Sequence, residues 1–223
     1  MAQGRFITFE GGEGSGKSTQ ARLLAERLQA SGRDCLVTRE PGGSPYADQL
    51  RDLILSPAVA AHGPLSEALT FYAARADHLE KTIRPALGRG QWVICDRFSD
   101  STRAYQGAAG GLADAIIATL ERIVVGATAP DLTVLLDIDA KAGLARAESR
   151  RKGGIVGASP GAFVAVDTFE ARTLAFHERL RDGFLGIAKH EPARVVVLDA
   201  FQNAQTLSDQ VLALVTTRLG SPS

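Results

Sequence analysis

The stretch "FEGGEGSGKST", residues 9–19, is the most informative part of the sequence. Gly11, Gly16, Lys17 and Ser18 satisfy the pattern G-x-x-x-x-G-K-[ST], between an apolar run and a helical pattern. Glycines let successive backbone N–H groups point inward around an anion, and a helix start adds partial positive charge. The lysine can reach terminal phosphates, and the serine hydroxyl can bind Mg²⁺. The stretch therefore predicts a phosphate-binding loop rather than a turn that merely joins a strand to a helix.

Short apolar runs alternate with longer helical patterns along the chain. Runs rich in Val, Ile and Leu, typical of strands covered on both faces, occupy residues 5–10, 35–38, 92–96, 132–138 and 194–199. The segments between them carry apolar residues at a spacing of three to four, as amphipathic helices do. This order predicts an α/β fold, with a five-stranded parallel sheet flanked by helices on both faces. No linker divides the sequence, so residues 1–223 are predicted to form a single domain.

The composition excludes some classes of partner. The chain has 25 basic and 25 acidic residues, so its net charge of zero argues against a general binder of nucleic acid or membrane surfaces. No apolar run approaches the ~20 residues that cross a bilayer, and no signal peptide precedes the first strand. Cys35 and Cys95 lie in apolar stretches without metal-ligand spacing, which indicates buried, reduced thiols. We therefore expect a cytoplasmic protein.

Asp96 ends the apolar run "WVICD" and is immediately followed by Arg97. A carboxylate at the end of a buried strand is suited to hold Mg²⁺ beside a phosphate-binding loop. The adjacent arginine indicates work on phosphate rather than activation of water. A structural salt bridge at the strand end is the alternative. The guanine-reading pattern N-K-x-D is absent from the sequence, which disfavours a GTPase.

Arginines follow successive predicted strands: Arg39, Arg51, Arg75, Arg97 and Arg103. The carboxyl ends of parallel strands converge on one crevice, and the planar guanidinium holds phosphate through two hydrogen bonds. The arginines therefore predict a second anion site beside the loop. Taken alone, Arg51 and Arg103 are better explained as solvated surface residues.

Two further stretches carry side chains suited to a nucleoside. In "FYAARADH", residues 71–78, Phe71 and Arg75 are four apart and share one face of a helix, so a ring and a hydrogen-bond donor could hold a base. From the spacing alone, a core phenylalanine and a snorkelling arginine explain the pair better. The stretch "DRFSDSTRAYQG", residues 96–107, adds a polar cluster with one aromatic ring, comprising Ser101, Thr102, Tyr105 and Gln106.

The segment "RRKGGIVGASPGAFVAVD", residues 150–167, is rich in Gly and small residues and starts with basic residues. We interpret it as a mobile surface loop, and the whole lid segment is predicted at about residues 149–167.

Together these stretches resemble the thymidylate kinases of bacterial type, a family of P-loop nucleoside monophosphate kinases. The matching stretches are "FEGGEGSGKST", "TREPGGS", "FYAARADH", "DRFSDSTRAYQG", "PDLTVLLDID" and "DTFEARTLAFHERLRDGF", in this order over nearly the whole chain. The resemblance implies the P-loop NTPase fold with a mobile lid, usually as a homodimer. It also implies Mg²⁺-dependent transfer of the γ-phosphoryl group of ATP to dTMP, in dTTP synthesis for DNA replication. The small-molecule partners would be ATP and dTMP, with neither nucleic acid nor membrane.

The resemblance also implies roles for particular residues. Those expected at dTMP are Glu13, Arg39, Arg51, Phe71, Arg75, Arg97, Ser101, Thr102, Tyr105 and Gln106. Those expected at ATP are Gly11, Gly12, Glu13, Gly14, Ser15, Gly16, Lys17, Ser18, Thr19 and Arg146. Ser18, Glu10 and Asp96 are expected to position Mg²⁺, the two acids mostly through water. Phe71 would stack on thymine and Arg75 would bind its O4. Glu13 would read the 3′-hydroxyl of the deoxyribose, which explains an acid inside a loop that binds anions.

The family also indicates where the catalytic cations lie. One branch carries an arginine after the loop acid, and here that position is Gly14. The other branch takes basic residues from the lid, so the predicted catalytic residues are Lys17, Arg97, Arg150 and Arg151. A solvated helix end is the alternative for each lid arginine. The lid departs from the family at Thr168, where an arginine is common, although Asp167, Phe169 and Glu170 match and would help to position it.

Other functions remain open at this point. A kinase for another nucleoside monophosphate uses the same parts. A deoxynucleoside kinase would need a base for the 5′-hydroxyl and fewer arginines for an acceptor phosphate. A nucleotide switch or ATPase would need a residue that positions water or a motif that reads guanine, and neither is evident. The helix "ADHLEKTIRPAL", residues 76–87, is a candidate for the dimer surface.

Overall fold

The computed structural model describes residues 4–55, 63–152, 169 and 171–220, and within these residues five parallel strands form one sheet in the order β2-β3-β1-β4-β5. The strands are β1 (Phe6–Glu10), β2 (Cys35–Arg39), β3 (Trp92–Asp96), β4 (Leu132–Asp137) and β5 (Val195–Asp199). Each predicted strand is present to within two residues at either end. The predicted α/β fold with a five-stranded parallel sheet is therefore confirmed.

Helices connect the strands and cover the sheet. They are α1 (Lys17–Ala30), α2 (Pro45–Leu55), α3 (Pro64–His78), α4 (Arg84–Gly88), α5 (Ser99–Thr102), α6 (Asp114–Val124), α7 (Ala140–Lys152), α8 (Leu174–His190) and α9 (Ala204–Leu219). Two π-helical segments, Leu79–Ile83 and Arg103–Ala109, continue α3 and α5. Thr173 and Asn203 cap α8 and α9, because each side chain accepts a hydrogen bond from a first-turn N–H group.

The central strand β1 is buried along its whole length, which explains its unbroken apolar pattern. Ile7 and Phe9 lie in a cluster with residues of α1 and α9, whereas Phe6 lies in a second cluster with residues of α3 and its π-helical extension. This alternation follows from the two-residue period of a strand. Cys35 and Cys95 are buried free thiols, as predicted. None of the described helices is long and apolar enough to span a bilayer.

The carboxyl ends of the strands meet above the phosphate-binding loop. Arg39 of β2 pairs in register with Asp96 of β3, and Phe9 of β1 pairs with Asp96 from the other side. The parallel sheet therefore brings Arg39 and the predicted metal carboxylate Asp96 to one edge, as expected for ligand sites in open α/β sheets.

Helix α7 lies directly against the phosphate-binding loop through two glycines. A Cβ atom at Gly14 would stand 2.0 Å from the carbonyl oxygen of Gly143, and one at Gly143 would stand 2.3 Å from that of Glu13. No side chain therefore fits at either position unless the backbones separate. Arg150 lies seven residues after Gly143, about two helical turns further along the same face. The glycine contact thus fixes where the end of α7 stands relative to the loop.

The lid differs in part from the prediction. Arg150, Arg151 and Lys152 belong to the last turn of α7 and not to a loop. Residues 153–168 and Glu170 lie outside the described residues, so the predicted roles of Asp167 and Glu170 remain predictions. Phe169 is described and is buried.

Candidate active site

The phosphate-binding loop has the conformation that its glycines predict. Gly11 and Gly16 have φ angles of 137° and 92°, and α1 begins at Lys17. The Lys17 Nζ donates to the carbonyl oxygens of Gly11 at 3.1 Å and Gly12 at 2.8 Å. Burial lowers the pKa of Lys17 to about 8, an effect that the adjacent Arg97 reinforces and the nearby acids oppose. The loop therefore holds a buried ammonium group at the start of a helix, which suits a bound anion.

Ser18 and Asp96 form the part of the site suited to a divalent cation. The Ser18 hydroxyl donates to Asp96 Oδ2, and the other carboxylate oxygen, Oδ1, is buried without a hydrogen-bond partner among the described residues. A hydroxyl oxygen and a carboxylate are ligands that Mg²⁺ prefers in phosphate sites. The unpartnered Oδ1 is suited to bind a magnesium ion, directly or through a water of its hydration shell.

Glu10 stands apart from this pair. Its side chain is buried, its Oε1 accepts from the Phe98 N–H at 2.7 Å, and its Oε2 accepts from the Ser101 hydroxyl at 2.6 Å. Burial, with Asp100 nearby, raises the pKa of Glu10 to about 8. Glu10 therefore holds the backbone at Phe98, directly after Arg97. Its predicted role at the metal remains a prediction.

A polar cavity opens between the loop and the ends of β2 and β3, and we call it the phosphate cavity. It is lined by Glu13, Gly14, Gly16, Lys17, Ser18, Arg39, Glu40, Arg51, Asp96, Arg97 and Arg150. Arg150 is exposed and has no ion-pair partner among the described residues, so its charge is available to this cavity. The Arg39 Nη2 lies 3.6 Å from Asp48 Oδ1, and the Arg51 Nη1 donates to the Pro41 carbonyl oxygen at 2.6 Å. Taken alone, Arg51 was better explained as a solvated residue, but it lines the cavity.

Arg97 and Glu13 form the wall between this cavity and a second one. Arg97 has a φ of 69°, in the left-handed region that non-glycine residues rarely adopt, so its side chain turns back over the loop. Its Nη1 donates to the Gly11 carbonyl oxygen at 3.0 Å and to the Ser101 hydroxyl at 3.2 Å, and its Nη2 donates to Glu13 Oε1 at 2.7 Å. The Tyr105 hydroxyl donates to the same Glu13 oxygen at 2.5 Å.

The charge state of Glu13 follows from these contacts. Burial alone would raise its pKa, but Arg97, Lys17 and the Tyr105 hydroxyl outweigh burial and lower the pKa to about 2. The carboxylate is therefore ionised near neutral pH. An ionised carboxylate only accepts hydrogen bonds, so Glu13 is suited to receive one from a sugar hydroxyl.

The second cavity, which we call the base cavity, encloses about 440 Å³, part of it open to solvent. It is lined by Glu13, Glu40, Pro41, Leu55, Phe71, Arg75, Arg97, Phe98, Ser101, Thr102, Tyr105, Gln106 and Phe169. All the residues predicted at dTMP line one of the two cavities. Of the predicted arginines, Arg103 lies elsewhere, since it pairs with Asp100 and Glu191.

Arg75 is buried at the end of the base cavity and is held on two of its nitrogens. Its Nε donates to Glu40 at 2.7 Å, and its Nη2 donates to the Phe98 carbonyl oxygen at 3.1 Å and to the Thr102 hydroxyl at 3.2 Å. The Nη1 has no partner among the described residues. A buried donor without a partner is costly, so its free N–H groups indicate a ligand acceptor at this position.

Sequence reasoning missed two buried acids at this cavity. Glu40 holds Arg75 and also lies 3.1 Å from His78 Nδ1, and Glu67 contacts Gln106. Glu40 stands inside the quoted stretch "TREPGGS", and Glu67 stands four residues before Phe71 on the same helix. The spacing of four residues puts Glu67 on the same helix face as Phe71, and this spacing could have identified Glu67 from the sequence.

Arg146 and Arg151 lie away from both cavities. The Arg146 Nη1 donates to the Ala200 carbonyl oxygen at 2.7 Å, and its guanidinium carbon lies 5.2 Å from the centre of the half-exposed Phe201 ring. This arrangement leaves a flat surface on which an adenine ring could rest. Arg151 lies in the same last turn as Arg150 but does not line the phosphate cavity. Of the two lid arginines predicted as catalytic, only Arg150 lines the phosphate cavity.

Comparisons with known proteins agree on one family. The sequence profile described as thymidylate kinase matches residues 9–211. The chain is 52% identical over 220 residues to a thymidylate kinase of Caulobacter vibrioides, covering 99% of this chain and all of that protein. It is 49% identical over 216 residues to a thymidylate kinase of Nitrobacter winogradskyi, covering 97% and 90% of the two chains.

A solved structure extends the comparison to the fold. The crystal structure of thymidylate kinase from Ehrlichia chaffeensis matches with a TM-score of 0.74 and 33% identity, covering 96% of this chain and 99% of that one. The family profile and the two relatives each span more than nine-tenths of this chain. The chain therefore belongs to the thymidylate kinase family.

Proposed function

We propose that this protein transfers the γ-phosphoryl group of ATP to dTMP, giving ADP and dTDP for dTTP synthesis. The observation that carries the proposal is the junction of the two cavities. Glu13, Glu40 and Arg97 line both the phosphate cavity and the base cavity. A nucleoside monophosphate in the base cavity would therefore direct its phosphate toward the loop that holds ATP.

The base cavity offers a hydrogen-bonding pattern that matches thymine. The Nη1 of Arg75 is a donor without a partner, which suits O4 of the base. Gln106 lines the cavity and uses its amide NH₂ on Glu67, which leaves its amide oxygen to accept from the N3–H of thymine. Phe71 supplies a ring on which the base would stack. The ionised Glu13 would accept from the 3′-hydroxyl, with Tyr105 beside the sugar.

The phosphate cavity would bring the two anionic substrates together. Lys17 and the loop N–H groups would hold the phosphates of ATP, and Arg97, Arg39 and Arg51 would hold the phosphate of dTMP. Ser18 and Asp96 would hold Mg²⁺, which when bound neutralises charge on the donor phosphates. The acceptor oxygen is already anionic, so no residue needs to act as a general base. The protein's residues orient the reactants in line and exclude water from them.

Arg150 is the proposed cation for the transferring group. It reaches the phosphate cavity from the end of α7, and the contact between Gly14 and Gly143 fixes that helix on the loop. A guanidinium in this place would stabilise negative charge spread over the three oxygens in the transition state.

A homodimer in the cytoplasm is also proposed. The helix 76–87, considered above for the dimer surface, buries its apolar residues Leu79, Ile83 and Ala86 in this chain's own core. Six exposed apolar side chains lie instead on α2, α3 and α6, of which α3 contacts the other two: Tyr46, Leu53, Leu65, Leu69, Ile116 and Ile123. Such a face suits a second copy of the chain. Light scattering on the purified protein should give the mass of two chains, and the mass of one chain would contradict the proposal.

The reaction is tested by coupled ADP release with ATP and Mg²⁺, comparing dTMP, dUMP, UMP, dGMP, AMP and thymidine as acceptors. We expect strong turnover with dTMP and weaker turnover with dUMP, which lacks the methyl group that fills the base cavity. Thymidine should give none, since it lacks the acceptor phosphate. ADP release that is independent of an acceptor, or turnover of thymidine, would contradict the assignment of the two cavities.

The role of Arg150 is tested by Arg150→Ala, with Arg151→Ala as the matched control in the same helical turn. We expect the first change to lower kcat by a factor on the order of 10³, as for other arginines that act on transferring phosphoryl groups. The KM for dTMP should change little, because Arg150 does not line the base cavity. The control should keep nearly full kcat. Equal effects of the two changes on kcat would remove Arg150 from the proposed role.

A further inference from the structure

Helix α3 presents three side chains of one face toward the base cavity, at a spacing of four residues. Phe71 and Arg75 line the cavity, and Glu67 lies one turn before Phe71. Glu67 is only 4% exposed and does not line the cavity itself. Its Oε2 accepts from Gln106 Nε2 at 2.9 Å, and its Oε1 accepts from Arg172 Nη2 at 2.5 Å. A buried acid therefore stands directly behind a residue of the base cavity.

The chemistry of Glu67 fixes which way the Gln106 amide points. An ionised carboxylate accepts hydrogen bonds and cannot donate them, so Gln106 must turn its NH₂ group toward Glu67. Its oxygen then has no partner among the described residues and is the atom left for a ligand in the base cavity. The oxygen and the NH₂ group of a glutamine amide have nearly the same shape, but one accepts and the other donates hydrogen bonds. Only a neighbour such as Glu67, which accepts and cannot donate, fixes which of the two faces the cavity.

Arg172 forms an ion pair with Glu67 and packs on two aromatic rings. Its guanidinium carbon lies 4.6 Å from the centre of the Phe169 ring and 4.5 Å from that of Phe176, and it pairs with Glu67. Phe169 lines the base cavity, and its ring centre lies 5.8 Å from that of Phe71. Arg172 only donates, so it holds Glu67 as an acceptor and ties it to the aromatic wall of the cavity.

We propose that Glu67 is a positioning residue that determines base specificity: held by Arg172, it fixes the Gln106 amide so that its oxygen, and not its NH₂ group, faces the base. This oxygen selects a base with a donor at N3, as thymine and uracil have, against cytosine, which has an acceptor there. The inference rests on the proposed placement of dTMP in the base cavity. Beyond that placement, it assigns Glu67 and Arg172 to the orientation of the Gln106 amide.

The test is Glu67→Gln, assayed with dTMP and dCMP as acceptors. Arg172 would hold the new amide by its oxygen, so the NH₂ group of the new glutamine would face Gln106. Gln106 would then turn its own oxygen toward position 67 and present NH₂ to the base, where it meets the N3–H of thymine. We expect kcat/KM for dTMP, and the ratio of kcat/KM for dTMP to that for dCMP, to fall about tenfold or more. The loss should lie mainly in KM.

The exchange Glu67→Gln with Gln106→Glu separates positioning from folding. In the double variant Arg172 donates to the amide oxygen at position 67, the amide NH₂ donates to the carboxylate at position 106, and a carboxylate oxygen faces the base. The ratio of dTMP to dCMP should return to within about threefold of the native value, since the acceptor toward the base is restored. A purely structural role for Glu67 would predict no recovery. Glu80→Gln, a change of the same type on an exposed residue, is the control and should have no effect.

The outcomes separate this inference from the proposed site. Gln106→Ala should lower the ratio of dTMP to dCMP if the base lies where we place it, and an unchanged ratio would overturn both proposals. A lowered ratio in Gln106→Ala together with an unchanged ratio in folded Glu67→Gln would overturn the role of Glu67 alone. If Glu67→Gln does not fold, failure of the exchange variant to restore the ratio overturns it.

Discussion

The site depends on one cation, Arg97, whose guanidinium joins the phosphate-binding loop to the base cavity. It contacts the loop backbone at Gly11, the acid Glu13 and the hydroxyl of Ser101. The left-handed backbone that directs this side chain follows immediately after β3, where Glu10 holds the next N–H group. A strained residue persists only where its surroundings over-determine it, and here they do so at the junction of the two cavities.

Buried charges near the site are arranged in pairs that leave selected atoms open. Glu40 compensates Arg75 but engages only its Nε, and the Nη1 remains without a partner among the described residues. Arg172 compensates Glu67, whose second oxygen orients Gln106. Buried ion pairs contribute little net stability, because desolvation opposes their attraction. Under the proposed function their value lies in specificity, since one pair leaves a donor and the other leaves an acceptor at the base cavity.

The sequence was sufficient for the sheet and for the loop because both are local patterns. Unbroken runs of Val, Ile and Leu indicate strands that are buried on both faces. The spacing from Gly11 to Ser18 indicates the backbone conformation of a phosphate-binding loop. The shared face of Phe71 and Arg75 was likewise readable from helical spacing. Although spacing alone favoured a core pair, the structure places both side chains at the base cavity.

The parts that were not predicted depend on contacts between distant segments. Glu40 meets Arg75 across 35 residues, and Glu67 meets Arg172 across 105, so no window of sequence contains either pair. The same holds for Gly143 against Gly14, which sets the distance from α7 to the loop. The helical pattern that predicts α7 and the predicted loop overlap at residues 150–152, so the sequence alone did not fix where the helix ends.

A binding cycle at Arg97 tests most directly whether this residue holds the acceptor phosphate. The dissociation constants of dTMP and thymidine are measured by calorimetry for the native protein and for Arg97→Ala. If Arg97 holds the acceptor phosphate, the native protein should bind dTMP on the order of 100-fold more tightly than thymidine, as a charge-assisted contact allows. In the variant this ratio should fall below about tenfold. An unchanged ratio in the variant would show that the acceptor phosphate lies elsewhere and would contradict the proposed role of Arg97.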